Sequence, residues 1–201
     1  LRLYNGKPMV NSVNGKLDSM ESVFPLIQKY GAVVVGLCLD ESGIPSTSKE
    51  RLVIAQKIVK KAQEYGIQKK DIVIDGLAMT ISSQSDGALV TLDTLQKVKE
   101  ELNVSTILGV SNISFGLPHR EIINSHFLTM AINNGLSCAI INPGNESMMR
   151  AYRASCALLN MDPQCMDYIS TYADVPDEKI ETIHSAKKTK QNVEETLSSA
   201  V

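Results

Sequence analysis

The chain has 201 residues, 43% apolar and 21% charged, a mix that suits one globular domain or most of a larger one and excludes disorder over most of its length. A net charge of -2 leaves no basic field for nucleic acid or an anionic membrane, and aromatic residues at 4%, with no Trp, leave little on which bases could stack. No apolar run approaches the roughly 18 residues of a membrane span, and no charged segment followed by an apolar one opens the chain, so a cytoplasmic protein without nucleic-acid or membrane partners is expected.

The chain begins with Leu1 rather than Met, directly before a strand-like run, which points to a piece of a longer chain. That run is Pro8 to Val13. A helix is expected next, with Asp18 as its cap, Glu21 three residues on, an apolar stripe of Val23, Leu26, Ile27 and Tyr30, and Gly31 as its stop. The run Ala32 to Asp40 follows. A second helix starts near Ser48, carries Leu52, Ala55, Ile58, Val59 and Ala62, and ends at Gly66. Then come the run Asp71 to Asp75 and a helix from about Thr91 with Leu95, Val98 and Leu102. After the run Thr106 to Asn112, a fourth helix has Pro118 near its first turn and carries Ile122, Ile123, Phe127, Met130 and Ala131. The last run is Cys138 to Asn142, and a fifth helix spans about Glu146 to Leu159.

These runs are nearly continuous in apolar residues, as in strands of a parallel sheet covered by helices. Polar residues near their ends, Asn11, Asp40, Asp75, Asn112 and Asn142, recur 29 to 37 residues apart, room for one strand, one loop and one helix. The alternation suggests either a (β/α) barrel or a doubly wound sheet; no Gly-x-Gly-x-x-Gly follows the first run, against the dinucleotide-binding version. Only five units are countable, fewer than a closed barrel needs. Beyond Asp174 the sequence turns charged, with sparse apolar positions Ile180, Ile183, Val193 and Leu197, and reads as a helical tail or linker over 175–201. Cys38, Cys138, Cys156 and Cys165 form no Cys-x-x-Cys pair and have no His at zinc-finger spacing, so reduced, mostly buried thiols and no metal site are expected.

In parallel α/β folds the site forms at the C-terminal ends of the strands. Here that position offers amides and carboxylates. Asp accepts two hydrogen bonds and Asn both donates and accepts, which suits a heterocycle presenting an amino group beside a ring N–H. Loop and helix capping would use the same residues, and spacing alone does not choose between the two. His119 and His126 follow as residues of a loop and a helix face.

Val10-Asn11-Ser12, Val73-Ile74-Asp75-Gly76, the stretch Leu108 to Gly116 with Arg120, and Ile140-Ile141-Asn142-Pro143-Gly144 resemble the pterin-binding domain of the methyltetrahydrofolate:corrinoid methyltransferases, from about Met9 to Asp174. This family includes the corresponding domain of cobalamin-dependent methionine synthase. The resemblance implies a (β/α)8 TIM-barrel pterin-binding fold, of which residues 1–174 would hold strands four to eight. It implies methyl transfer between the N5 atom of methyltetrahydrofolate and a cobalamin (corrinoid) supplied by another domain or protein. Asn11 and Asp75 would hydrogen-bond the pterin ring, Gly109 and Ser111 would flank it, Asn112 would reach N5 as the catalytic residue, Arg120 would position, and Ile140 would form an apolar wall. An acidic residue on strand three completes the family's site and is not among these residues. Phe115 resembles the methionine-synthase branch, where the corrinoid/iron-sulfur branch tends to have Gln. Single-domain relatives form homodimers, whereas a multidomain parent could be monomeric. The family's layouts imply a tail that either leads into a cobalamin module or ends the protein.

Two alternatives stand beside this reading. Dihydropteroate synthase shares the pterin barrel, but its Ser-Arg-Lys element has no match in Ser111-Asn112-Ile113. An inactive partial barrel, serving as a structural or binding fragment, is the second. Homocysteine methylation would need thiolate-bound zinc, and the four cysteines lie far apart in sequence.

Overall fold

A computed structural model describes residues 1–175 of the chain. Five strands, β1 (Met9–Asn14), β2 (Val33–Leu37), β3 (Ile72–Asp75), β4 (Ser105–Gly109) and β5 (Cys138–Ile140), form one sheet with every pair parallel. Their order in the sheet is their order in the chain. A doubly wound sheet would reverse direction at a switch point; this one does not, which is the arrangement of consecutive units in a (β/α) barrel. The helices between them are α1 (Leu17–Tyr30), α2 (Ser48–Glu64), α3 (Gly87–Lys97), α4 (Arg120–Asn133) and α5 (Glu146–Leu158). The chain divides into two units, Leu1–Cys165 and the residues from Met166 on. In the second, α6 (Met166–Tyr172) sets the rings of Tyr168 and Tyr172 4.9 Å apart. Apart from Val175, the tail expected over 175–201 lies outside the described residues.

Alternation along the strands gives the sheet two faces. On the helix side, Val13, Val34, Ile72 and Ile74 pack with Met20, Phe24 and Ile27 of α1 and with Ala55, Ile58 and Ala62 of α2. Close approach of β2 to α2 depends on Gly36: a Cβ there would stand 2.8 Å from Cγ2 of Ile58. A second cluster joins Leu95, Leu108, Phe127, Leu128 and Ala131 on the same side of β4. The opposite face carries Val35, Val73 and Ile107, with Val33, Leu37 and Cys138 packed around them.

Several local expectations shift. Asp18 does not cap α1; Lys16 holds that position, and the turn is fixed by Asn14, whose Oδ1 accepts the Lys16 N–H at 3.0 Å. Asp18 thereby falls in the first turn, where its charge suits the helix dipole. Leu26 is exposed, because the buried stripe runs through Met20, Phe24 and Ile27. Gly31 does stop the helix, at φ 62°. Thr47, one residue before α2, forms a capping box with Glu50. α3 begins four residues earlier than Thr91, whose hydroxyl bonds the Gly87 carbonyl at 2.8 Å, a mid-helix pattern rather than a cap. A π-helical turn, Val98–Leu102, extends it. Pro118 precedes α4 instead of lying in its first turn. Of the cysteines only Cys38 is buried; the other three are partly exposed, since Cys138 is on the open face and Cys156 and Cys165 lie near the surface.

Candidate functional site

Register decides which expected site residues share a face. Asn11 pairs with Val35, and Val35 with Val73; Leu37 pairs with Asp75, Asp75 with Ile107, and Gly109 with Ile140. Parallel partners point the same way, so Asn11, Asp75, Gly109 and Ile140 lie on the face of Val35, Val73 and Ile107, away from the α1 and α2 core. Asn11 is not at a strand end. It lies within β1 beside a register shift between Asn11 and Val13, and the Asn11–Ser12 peptide is cis. Asp75, Gly109 and Ile140 do end their strands, while Asp40, Asn112 and Asn142 lie beyond the strand ends.

Asp75 is held by its own loop. Its Oδ1 accepts the Leu77 N–H at 2.8 Å, closing a turn that sets Leu77 at φ 60°. Its second oxygen takes no hydrogen bond from the described residues. Burial pushes this carboxyl up to about 6, against the Leu77 N–H and the Arg51 charge, which hold it down. It is therefore largely ionised at neutral pH and ready to accept hydrogen bonds. Beside it, burial pushes the Cys38 thiol up to about 12, so that sulfur stays protonated.

After β4 the chain turns through a short 3₁₀ segment, Val110–Ser114, that carries Ser111 and Asn112. Asn112 folds back toward Gly109, where a Cβ would stand 3.0 Å from its Nδ2. Arg120, at the start of α4, donates from Nη2 to the Ser111 carbonyl at 2.7 Å and from Nε to the Ser114 hydroxyl at 3.0 Å. The Ser114 hydroxyl in turn donates a hydrogen bond to Oδ1 of buried Asn124 at 2.7 Å. The guanidinium also lies over the Phe115 ring, 4.4 Å from its centroid. Arg120 is thus committed to shaping the Ser111–Asn112 turn. Thr80 and Ser82 fix the far end through the Phe115 carbonyl, at 2.7 and 2.8 Å. Ser111 and Arg120 also line an open cleft of about 300 Å³ with Asn142 and Asn145, and Asn11, Asp75 and Asn112 are not part of its wall. His119 and His126 are exposed.

Residues 2–142 match the family described as pterin binding enzyme. The chain belongs to this family. Among pterin-binding enzymes it is 28% identical over 169 residues to the methylcorrinoid:tetrahydrofolate methyltransferase of Eubacterium limosum, covering 82% of this chain and 62% of that one. It is 36% identical to the methionine synthase of Mycobacterium leprae and 33% identical to that of Mycobacterium tuberculosis, each over 151 residues and 68% of this chain. Those matches cover 12% and 13% of the two synthases, so the chain spans 62% of the first relative and a small part of the others. No helix among the described residues is long and apolar enough to cross a membrane.

The sequence reading of this pterin-binding domain missed one charged residue, Arg51, which is fully buried. It stands four residues before Ala55 on the buried stripe of α2, and a charge at an apolar position of that stripe was the available signal.

Proposed function

We propose that this chain forms the pterin site of an enzyme that moves the N5-methyl group between methyltetrahydrofolate and a corrinoid. Its five βα units would be strands four to eight of an eight-stranded barrel. The observation that carries this reading is Asp75: a largely ionised carboxylate, one oxygen fixed by its own turn, on the same face as Asn11, Gly109 and Ile140. Such a group matches the amino and ring N–H donors of a pterin edge. Asn11 adds an amide, and Ile140 adds an apolar wall.

Asn112 is the residue we assign to the chemistry. N5 must gain a proton or a strong hydrogen bond as its methyl leaves, and the Asn112 carbonyl oxygen can accept from the protonated amine. A neutral amide can rotate to serve either protonation state. Its effect on rate comes from whatever part of that bond strengthens in the transition state. The corrinoid, brought by another domain or protein, would supply the nucleophile. Phe115 and Ile140, each about half exposed, leave an apolar surface near the strand ends where such a partner could rest. The Ser111-Asn112-Ile113 turn carries no Lys, which argues against dihydropteroate synthase chemistry. The expected setting is cytoplasmic, as a monomeric multidomain protein or a homodimer.

Calorimetric titration of methyltetrahydrofolate into the protein, with the upstream strands supplied, tests the assignment. Asp75→Asn should weaken binding by about 1.5–3 kcal/mol, the scale of a charged hydrogen bond. Asn112→Ala should bind nearly as wild type yet transfer methyl to cob(I)alamin roughly 10²–10⁴-fold more slowly. A folded barrel that binds no pterin would leave the inactive-fragment reading in its place.

A further inference from the structure

Arg51 reaches from the first turn of α2 under the loop that follows β3. Its Nε donates to the Pro45 carbonyl at 3.0 Å, and its Nη1 donates to the Gly76 and Leu77 carbonyls, both at 2.8 Å. Thr91 of α3 adds a weaker bond to the same Leu77 carbonyl, at 3.3 Å. The side chain is fully buried, and its Nη2 has no hydrogen-bond partner. Burying a guanidinium with one nitrogen unpaired is unfavourable unless something is gained by its being there. An apolar side chain of similar volume would fill the space, and it could not hold two successive carbonyls. The Gly76 carbonyl belongs to the same peptide as the Leu77 N–H that is bonded to Asp75 Oδ1, and the Leu77 carbonyl belongs to the next. They also fix Leu77 at φ 60°, a conformation that a Leu holds only when its surroundings impose it. The start of α2 is in turn tied to α3 by the Ser48 hydroxyl bonded to Asp93.

We propose that Arg51 is a positioning residue for Asp75, holding the Gly76–Leu77 turn so that the carboxylate is presented, charged, on the open face of the sheet. The identity of the ligand rests on the pterin reading above; the action of Arg51 on Asp75 does not. The groups facing this carboxyl are few. Arg51 comes from α2, Cys38 follows β2 with its N–H on the Asp75 carbonyl, and Asp86 precedes α3 and bears on Arg51. Cys38 is an uncharged thiol, so among the described residues the one cation bearing on Asp75 is Arg51.

The test reads the Asp75 carboxyl by ¹³C NMR in ligand-free protein across pH, beside methyltetrahydrofolate affinity, for wild type, Arg51→Met and Arg51→Lys. In Arg51→Met the Asp75 midpoint should rise by roughly one unit, as loss of a neighbouring cation dictates. In Arg51→Lys the midpoint should stay near that of wild type, while the Leu77 amide exchanges faster and affinity falls about tenfold, because a point charge cannot bridge both carbonyls. A strut with no bearing on Asp75 would lower stability and leave the midpoint alone, and that result in Arg51→Met overturns the proposal. If Arg51→Met does not fold, Arg51→Lys decides: an unchanged Leu77 exchange rate overturns it and faster exchange supports it. A wild-type protein that binds no pterin removes the proposed function, and the NMR readings still judge Arg51.

Discussion

Replacing Asp75 by Asn should stabilise the unliganded protein at alkaline pH while weakening its binding of pterin. The carboxyl is pushed from 3.8 to about 6, chiefly by burial. A folded-state value above the unfolded one means that the folded protein prefers the protonated form. That preference is fully present below the unfolded value and is lost as pH rises through about 6. At about 1.4 kcal/mol per unit the full shift would amount to about 3 kcal/mol. Asp75 is only partly buried, and screening reduces this to roughly 1–2 kcal/mol. Asn keeps an oxygen for the Leu77 N–H and carries no charge at any pH. Urea unfolding at pH 8 should therefore place the variant midpoint about 0.5–1 M above wild type, taking a slope of about 2 kcal/mol per molar. By pH 4 most of that advantage should be gone. A variant less stable than wild type at pH 8, or a difference that does not change with pH, would refute the reasoning.

Other substitutions probe the supports around the site. Gly109→Ala places a Cβ 3.0 Å from Asn112 Nδ2; methyl transfer should fall about tenfold with binding nearly unchanged, read from kcat and KM. Gly36→Ala drives a Cβ to 2.8 Å from Ile58 and should lower stability by about 1–3 kcal/mol in denaturant unfolding. Thr47→Ala removes the capping box of α2 and should lower stability by about 1 kcal/mol, a fall of roughly 2–4 °C in Tm by calorimetry.

The strands were legible because each is a short β-rich apolar run, and all five fall within the expected segments but for Asn14 at the end of β1 and Ser105 at the start of β4. Their parallel pairing was legible too, since helical patterns separate them. Barrel order was not legible in the alternation, which serves a doubly wound sheet equally well; the family resemblance implied it, and the pairing of β1 through β5 in sequence agrees. Helix starts were read least well. Asp18 and Thr91 are residue types that cap helices, but Asp18 falls inside the first turn of α1 and the Thr91 hydroxyl bonds back by four residues, positions set by where the preceding loop ends. In the site, Asp75 and the Ser111–Asn112 turn were visible as polar breaks after apolar runs. Arg120 was visible, but its work was not: its guanidinium is spent on Ser111, Ser114 and Phe115. Arg51 went unread because a lone Arg on a helix passes for a surface charge.

The two halves of the site draw support from different places. The Asp75 turn leans backward in the chain, on Arg51 of the preceding unit, whereas the Ser111–Asn112 turn leans forward, on Arg120 and Asn124 of its own helix. Neither network shares a hydrogen-bonding side chain with the other, and groups without common partners contribute nearly additively. On the proposed function, substrate grip and methyl-transfer chemistry would therefore be separate inheritances on one scaffold: selection could retune the Asp75 loop for a different pterin without disturbing the Ser111–Asn112 loop.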